Sequence, residues 1–462
     1  MDLVKRAHDQ KAVPVLPLNL TVPVLDQSSA AVVSPDVTEC EVASVAQALG
    51  GVVDSRQARG IRHRGFGLLM GTMAALLAGA RTTVEIAEHI QDLTDTQRAR
   101  IGLTWKTAPS LSTVRRFLKV ADPQVLQAAL TAWAEAHAAR VAAVVKGLRH
   151  FAVDGKSLRG AAGKGCPKPH VLGVLDVTAE VFLTQRQINA KTNEIGMFTQ
   201  VMDQISTLDG VLVSADAMHT QTGHATYLDA RGAGLLVGLK ANQPTVLAQA
   251  EALPWGQIPA ADVEVTPRLH GRVEKRVVQV TAIGRQDDEI AFPLARQVAR
   301  ITRYERRRTR TPGRWYWKKT EVAYYLCTWD QIRLPAALLA RAVKNHWMVE
   351  SWHWLRDVTL GEDDHLARSG HIATNLAALS NTVISLLHLA GTHQIARTLR
   401  RLARNPEHAI SLLAGSPRAF QPGAPTDPCV NLSIYTAPVI LFTRRSGRRA
   451  PIPSARTGAG TV

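Results

Sequence analysis

The spacing of apolar residues changes character near residue 150. Between Asp54 and Arg149 they recur at helical intervals, and no alternating run interrupts them. The stretch 67–80 is rich in Leu, Met and Ala, and Thr82 and Thr83 can cap a helix over 83–90. Pro109-Ser110-Leu111-Ser112 opens a helix carrying Arg115, Arg116 and Lys119, and 125–145 is Ala-rich and helical. These features predict a small α-helical domain over 54–149 with one basic helix face. Residues 1–53, rich in Val, Pro, Ala and Ser without sustained periodicity, read as a loose arm.

After Arg149, short apolar runs alternate with turn signals. Strands are predicted over 151–153, ending in Asp154-Gly155-Lys156, and over 171–177, 181–188, 210–215 and 234–240, with helices over 193–205 and 219–230. The order β-β-β-α-β-α-β implies an α/β fold with one mixed sheet, its first three strands antiparallel and the rest parallel. That is the element order of a ribonuclease-H-like core. Four more strands, over 262–266, 274–281, 297–304 and 320–328, form a β-rich insertion at about 250–330. A helical block over 335–390 completes a domain spanning 150–395. From Arg397 onward ten Arg face two acids, Glu407 and Asp427, among many Pro, Gly and Ser, which predicts a basic, largely disordered tail over 396–462.

With 462 residues, 46% of them hydrophobic, the chain can bury a sizeable core, which excludes wholesale disorder and a disulfide miniprotein. Its four Cys lie far apart without a CxxC pair, against a zinc ribbon and in keeping with a reducing compartment. Pro14, Pro17 and Asn19 interrupt any signal-peptide core, and the apolar run 66–80 is shorter than the roughly 18–20 residues a bilayer span needs. A cytoplasmic, nucleoid-associated protein without membrane contact is expected. The net charge of +17 alters the picture most, because 41 of the 55 basic residues are Arg. Guanidinium binds phosphate in a planar, bidentate way, so the surplus points to nucleic acid.

Acting on phosphodiesters without a covalent intermediate commonly takes two divalent cations and several converging carboxylates. Two acids follow apolar strands, Asp154 and Asp216. One such Asp alone usually starts a turn; two in the first and fourth strands of one sheet suggest a site, since ligands of α/β sheets gather at strand ends. In the segment KNHWMVESWHWLRD (344–357), His346, Glu350, His353 and Asp357 stand 4, 3 and 4 residues apart and share one helix face, flanked by Trp347 and Trp354. A solvated surface stripe is the alternative. A zinc reading of the two His lacks the usual i, i+4 pair. The segment 301–320 holds eight Arg or Lys and one Glu, interleaved with Tyr304, Trp315, Tyr316 and Trp317. It reads equally as a DNA-end grip, with Arg on phosphates and rings on exposed bases, or as a solvated basic hairpin with its Trp in the core. Thr311-Pro312-Gly313 marks the hairpin tip, and the Arg115/Arg116 helix is a second candidate for reading DNA, through the major groove.

On these residues the chain resembles bacterial insertion-sequence transposases of the DDE class, of the H-repeat-associated type. The matching segments are VDGKSLRG (153–160), KTNEI (191–195), SADAMHTQ (214–221), GLKANQPTV (238–246), HGRVEKR (270–276) and HWMVESWHWLRDVTLGEDD (346–364). The segments DSRQARGIRHRG (54–65) and PSLSTVRRFL (109–118) resemble the family's N-terminal associated domain. The resemblance implies that Asp154, Asp216 and Glu350 form the catalytic triad and hold two Mg²⁺ ions, with Mn²⁺ an alternative. It implies cleavage at the element's ends and transfer of the 3′-hydroxyl into target DNA. The expected partners are terminal inverted repeats, target DNA and a second copy of the chain in a homodimer. Many related transposases carry a Tyr-Arg-Glu-Lys signature, whose Tyr, Arg and Lys positions hold Val343, His346 and Asp357 here. Lys156, Lys344 and His346 are the candidates to replace the missing cation. The full set of candidate DNA contacts is Arg115, Arg116, Lys156, Arg159, His219, Gln221, Lys240, Arg306, Arg307, Arg308, Trp315, Lys344, His346 and His353. A DNA-binding protein without catalysis and a nuclease that cuts but does not join are the competing readings.

Overall fold

A computed structural model describes residues 43–415 except 60, 146, 164–167, 189–192, 270–271, 285–289, 310–312 and 365–366. The N-terminal part is helical, as the spacing predicts: α1 (Val45–Gly50), α2 (Gly65–Leu77), α3 (Thr83–Asp92), α4 (Asp95–Arg100), α5 (Leu111–Val120) and α6 (Pro123–Val145). Thr82 caps α3 in a reciprocal box with Glu85, and Ser110 caps α5. Nearly every residue of α2 is buried, which explains why its sequence is apolar on all sides rather than striped. Gly67 allows the closest approach in this bundle: a Cβ there would stand 2.6 Å from the Gly102 carbonyl oxygen.

The sheet follows with β1 (Arg149–Ser157), β2 (His170–Asp176), β3 (Val181–Ile188), α7 (Glu194–Met202), β4 (Val211–Ala215), α8 (Thr222–Ala230), β5 (Gly234–Leu239) and α9 (Pro244–Ala252). Strands β1, β2 and β3 pair antiparallel, while β4 runs parallel to both β1 and β5. The next four strands, β6 (Ala260–Leu269), β7 (Arg272–Ala282), β8 (Gln297–Arg308) and β9 (Trp315–Cys327), do not form a separate layer. They extend the same sheet, in the order β3-β2-β1-β4-β5-β9-β8-β7-β6, through an antiparallel β5–β9 pair running from Leu236↔Cys327 to Leu239↔Tyr324. Strands β8 and β9 also outrun their predicted limits, so most of the basic 301–320 segment is paired strand. The expected tip residues Thr311 and Pro312 lie outside the described residues.

The remaining helices are α10 (Ala336–Asn345), α11 (Trp347–Trp354), α12 (Ile372–Leu389), α13 (Ile395–Ala403) and α14 (Pro406–Ala414). By length and composition α12 could cross a membrane, but 89% of it is buried inside the protein. It packs on β3, α2, α5 and α6, and its polar groups are used internally. Asn375 Nδ2 donates to the carbonyls of Leu118 and Ala121, and the amide of Phe182 donates to Ser385 Oγ. Helices α13 and α14 form where the basic tail was expected to begin. The Arg residues of α13 are spaced so that Leu399 and Leu402 turn inward, and α14 buries Ile410 and Leu413, each burial contributing roughly 1.5–3 kcal/mol. Helix α1 lies within the span predicted to be a loose arm; residues 1–42 and 416–462 lie outside the described residues.

Candidate active site

Asp154 lies inside β1, opposite Gly173 of β2, rather than beyond the strand's end. The parallel register Val153↔Ala215 then sets Asp154 beside Asp216, the first residue after β4. The third acid, Glu350, comes from α11, which packs on β1. Burial raises the Glu350 carboxyl above its ordinary value, and the charges of Asp154 and Asp216 raise it further, against His346 and Lys240. That coupling places the three acids in one electrostatic site. Asp216 is held in the opposite direction: His346, then Lys240 and His219, lower it against the effect of burial.

Histidines on the shared face of α10–α11 support two of the acids. His353 Nδ1 stands 3.2 Å from Asp154 Oδ2, and burial lowers the imidazole's basicity, so it is neutral near pH 7 and presents an N–H to the carboxylate. His346 Nε2 lies 3.8 Å from Asp216 Oδ1, an electrostatic rather than hydrogen-bonded separation. Its other nitrogen meets Ser214 Oγ at 2.9 Å, and Ser214 in turn meets His150 Nε2 at 2.7 Å. Burial drives His150 down to about 3, so this chain starts from a neutral imidazole in the core and ends at Asp216.

A buried ion network braces the other end of α11. Lys156 shares a strand face with Asp154; its Nζ contacts Asp357 at 2.5 Å and Glu362 at 3.8 Å. Fully buried Arg356 closes the network on Glu362 at 2.6 Å. Residues Leu355–Thr359, which contain Asp357, form a π-helical turn directly after α11. Asp357, at the position of the signature's Lys, is the partner of Lys156 from β1.

The structure gives several of the expected DNA contacts partners within the protein. Lys156 is 6% exposed and ion-paired, so it positions the helix instead of meeting solvent. His219 is completely buried, with its ring beside Phe198 and its Nε2 3.6 Å from Glu194. His353 faces Asp154, and Lys344 pairs with Glu264 at 2.6 Å. Gln221 turns its amide back to the Met218 carbonyl. Lys240 is exposed just after β5 and close enough to shift both Asp216 and Glu350, which makes it the cation beside the acids. Arg159 is also exposed, 3.6 Å from Asp363.

One acid beside the site was not singled out from sequence. Glu194, in the first turn of α7, meets His170 Nε2 at 2.7 Å. Burial tends to raise its carboxyl, but His170 and His219 outweigh that and hold it at about 2. It presses on Gly155, the neighbour of Asp154: a Cβ on Gly155 would lie 2.2 Å from Glu194 Oε1. The KTNEI segment carried the signal, but its two His partners are remote in sequence.

Away from the acids, β8 and β9 project a ribbon whose register pairs Arg306, Arg307 and Arg308 with Trp317, Tyr316 and Trp315. All six are exposed, so neither Trp is anchored in the core. Arg306 and Arg308 each lie 4.9 Å from the Trp315 ring centre, and Lys275 stands 5.3 Å from that of Trp317. Nearer the acids, Arg303 lies over Trp347 of α11 at 5.9 Å. Arg115 and Arg116 are exposed on α5, with Arg115 Nε donating to Thr83 Oγ1.

Comparison with known proteins shows the family. The family model described as transposase DDE domain matches residues 146–386, and the one described as DDE_Tnp_1-associated matches residues 46–134. "Putative protein YbfL" of Escherichia coli (strain K12) is 26% identical over 379 residues, covering 79% of this chain and 96% of that protein. "Putative transposase YncI" of Escherichia coli O157:H7 is 24% identical over 346 residues, 73% of this chain and 85% of that one. "H repeat-associated putative transposase YbfD" of strain K12 is 25% identical over 236 residues, 49% and 89%.

Proposed function

The chain belongs to the bacterial DDE transposases, and on that premise we propose that it cuts DNA at the ends of its own element and joins the freed 3′-hydroxyl to target DNA. The observation that carries this reading is the meeting of Asp154 within β1, Asp216 just after β4 and Glu350 on α11, with the charges of both Asp bearing on the Glu350 carboxyl. We read β3-β2-β1-β4-β5 as a ribonuclease-H-like core, 54–149 as the helical DNA-binding domain and 150–395 as the catalytic domain.

Carboxylate oxygens are hard donors, and the burial and mutual repulsion that raise Glu350 are conditions a cation relieves, so the three acids fit Mg²⁺, with Mn²⁺ as substitute. When bound, two such ions supply acidification of the attacking water or 3′-hydroxyl and neutralisation of charge developing on the phosphate. The protein's own groups set the geometry. The His353 N–H fixes the rotamer of Asp154, and the His150–Ser214–His346 chain places a ring nitrogen beside Asp216. The Lys156–Asp357 pair locks the turn after α11 and so fixes the angle at which Glu350 enters. Lys240 attracts the scissile phosphate toward the acids. The β8–β9 ribbon grips DNA beside them, Arg on phosphate and exposed rings on frayed bases. Two ends have to be cut and joined in one event, so the working form is a homodimer on DNA at the nucleoid.

The test uses purified protein, DNA carrying the inverted repeats that flank its gene, a target plasmid and Mg²⁺. Joined products are expected from the wild type, and none from Asp154→Asn. Cleavage without joining would reduce the reading to a nuclease. Binding without cleavage would leave a DNA-binding protein.

A further inference from the structure

Away from the three acids, Glu180, His388 and His393 bring three ligand atoms within 4.8 Å of one another. Three separate segments supply them. Glu180 closes the tight turn between β2 and β3, His388 sits in the last turn of α12, and His393 follows the Gly391 turn beyond it. Both imidazoles aim Nδ1 at the same carboxylate oxygen, Oε2, at 2.7 Å from His388 and 3.2 Å from His393. The backbone makes an uncommon concession to this arrangement: Glu180 has φ +54, a left-handed conformation that costs a residue with a Cβ about 1–2 kcal/mol.

We propose that Glu180, His388 and His393 bind a divalent transition-metal ion, Zn²⁺ first, at a site distinct from the catalytic acids. Two imidazole nitrogens and one carboxylate oxygen form a borderline donor set, which suits Zn²⁺ and is a poor match for Mg²⁺. Around a tetrahedral Zn²⁺ such ligands stand about 3.3 Å apart, so the three need only small side-chain adjustments from the separations they already have. His393 is 61% exposed, which leaves a fourth position open to water. The site has a structural purpose within the fold. The ring of His388 lies 5.1 Å from that of Trp352, whose Nε1 donates to Asn381 of α12. Trp352 belongs to the helix that carries Glu350. A metal here clamps the end of α12 to the β2–β3 turn and backs the catalytic helix from behind. This role does not depend on what reaction the acids perform.

The experiment strips the full-length protein of metal with a chelator, removes the chelator, and titrates Zn²⁺ against a chromophoric competitor with millimolar Mg²⁺ present throughout. The variants are His393→Ala, Glu180→Gln and the double variant Asp154→Asn/Asp216→Asn. His393→Ala removes an exposed side chain, so folding is retained. His388 is left intact because it packs on Trp352. The proposal expects one Zn²⁺ per chain in the wild type and in the Asp double variant, and at least about tenfold weaker binding in His393→Ala and Glu180→Gln. Zn²⁺ should also raise the melting temperature of the wild type but not of His393→Ala. Absence of Zn²⁺ binding, equal binding in all four proteins, or loss confined to the Asp double variant would overturn it.

Discussion

The three-acid end of the sheet and the β8–β9 ribbon both carry charge, but they hold it in opposite ways. Around Asp154, Asp216 and Glu350 the acids are braced by groups drawn from the interior: His353, the His150–Ser214–His346 chain, and Lys156 with Asp357 and Glu362. On the ribbon, exposed Arg306 and Arg308 lie against the Trp315 ring and exposed Arg307 pairs with neighbouring Glu305. The first arrangement fixes geometry and is expected to tolerate little substitution. The second supplies many weak, similar contacts that salt screens and that can replace one another.

The sharpest way to break this contrast is at the acids. Asp154→Asn, Asp216→Asn and Glu350→Gln should each lower cleavage by about 10³-fold or more while leaving binding to the inverted repeats intact, as measured by single-turnover cleavage and gel shift. A modest loss of cleavage would make the braced end no more exacting than the ribbon. Next comes Lys156→Ala, which takes the lysine from half-buried Asp357 while Glu362 keeps Arg356. It should cost about 3 kcal/mol in urea unfolding. The matched Lys156→Ala/Asp357→Ala pair should recover part of that loss. Replacing Arg306, Arg307 and Arg308 together by Ala should leave stability within about 0.5 kcal/mol. The same change should reduce the salt slope of DNA binding by about 3.

The smallest effect concerns Glu350 and pH. Its folded carboxyl is raised above the ordinary 4.5, so between the unfolded and folded values the native state holds a proton that the unfolded chain has released. Stability from this group therefore falls as pH rises through that window. In metal-free buffer Glu350→Gln should melt above wild type at pH 7, with the difference shrinking below about pH 4.5. An unchanged melting temperature would mean that the acids are not coupled.

Legibility from sequence divides along the same line. The helical block, the order of the first five strands and the one-face spacing of His346, Glu350 and His353 follow from local periodicity, and so could be read. Partners distant in sequence could not. Lys156 and Asp357 are 201 residues apart, and Glu194 owes its place to His170 and His219. Nothing local announces that β9 pairs with β5, so four strands that read as an insertion become the continuation of the sheet. Arg-rich composition masked the inward Leu residues of α13, where charge count and helical spacing gave opposite signals.

The central claim is that Asp154, Asp216 and Glu350 act as one unit. Single-turnover cleavage of inverted-repeat DNA by the three single variants and the triple variant, in one Mg²⁺ buffer, tests it directly. If they form a unit, each single change lowers the rate as far as all three together. Losses that multiply from one variant to the next, or one acid that can be replaced without loss, would contradict the account.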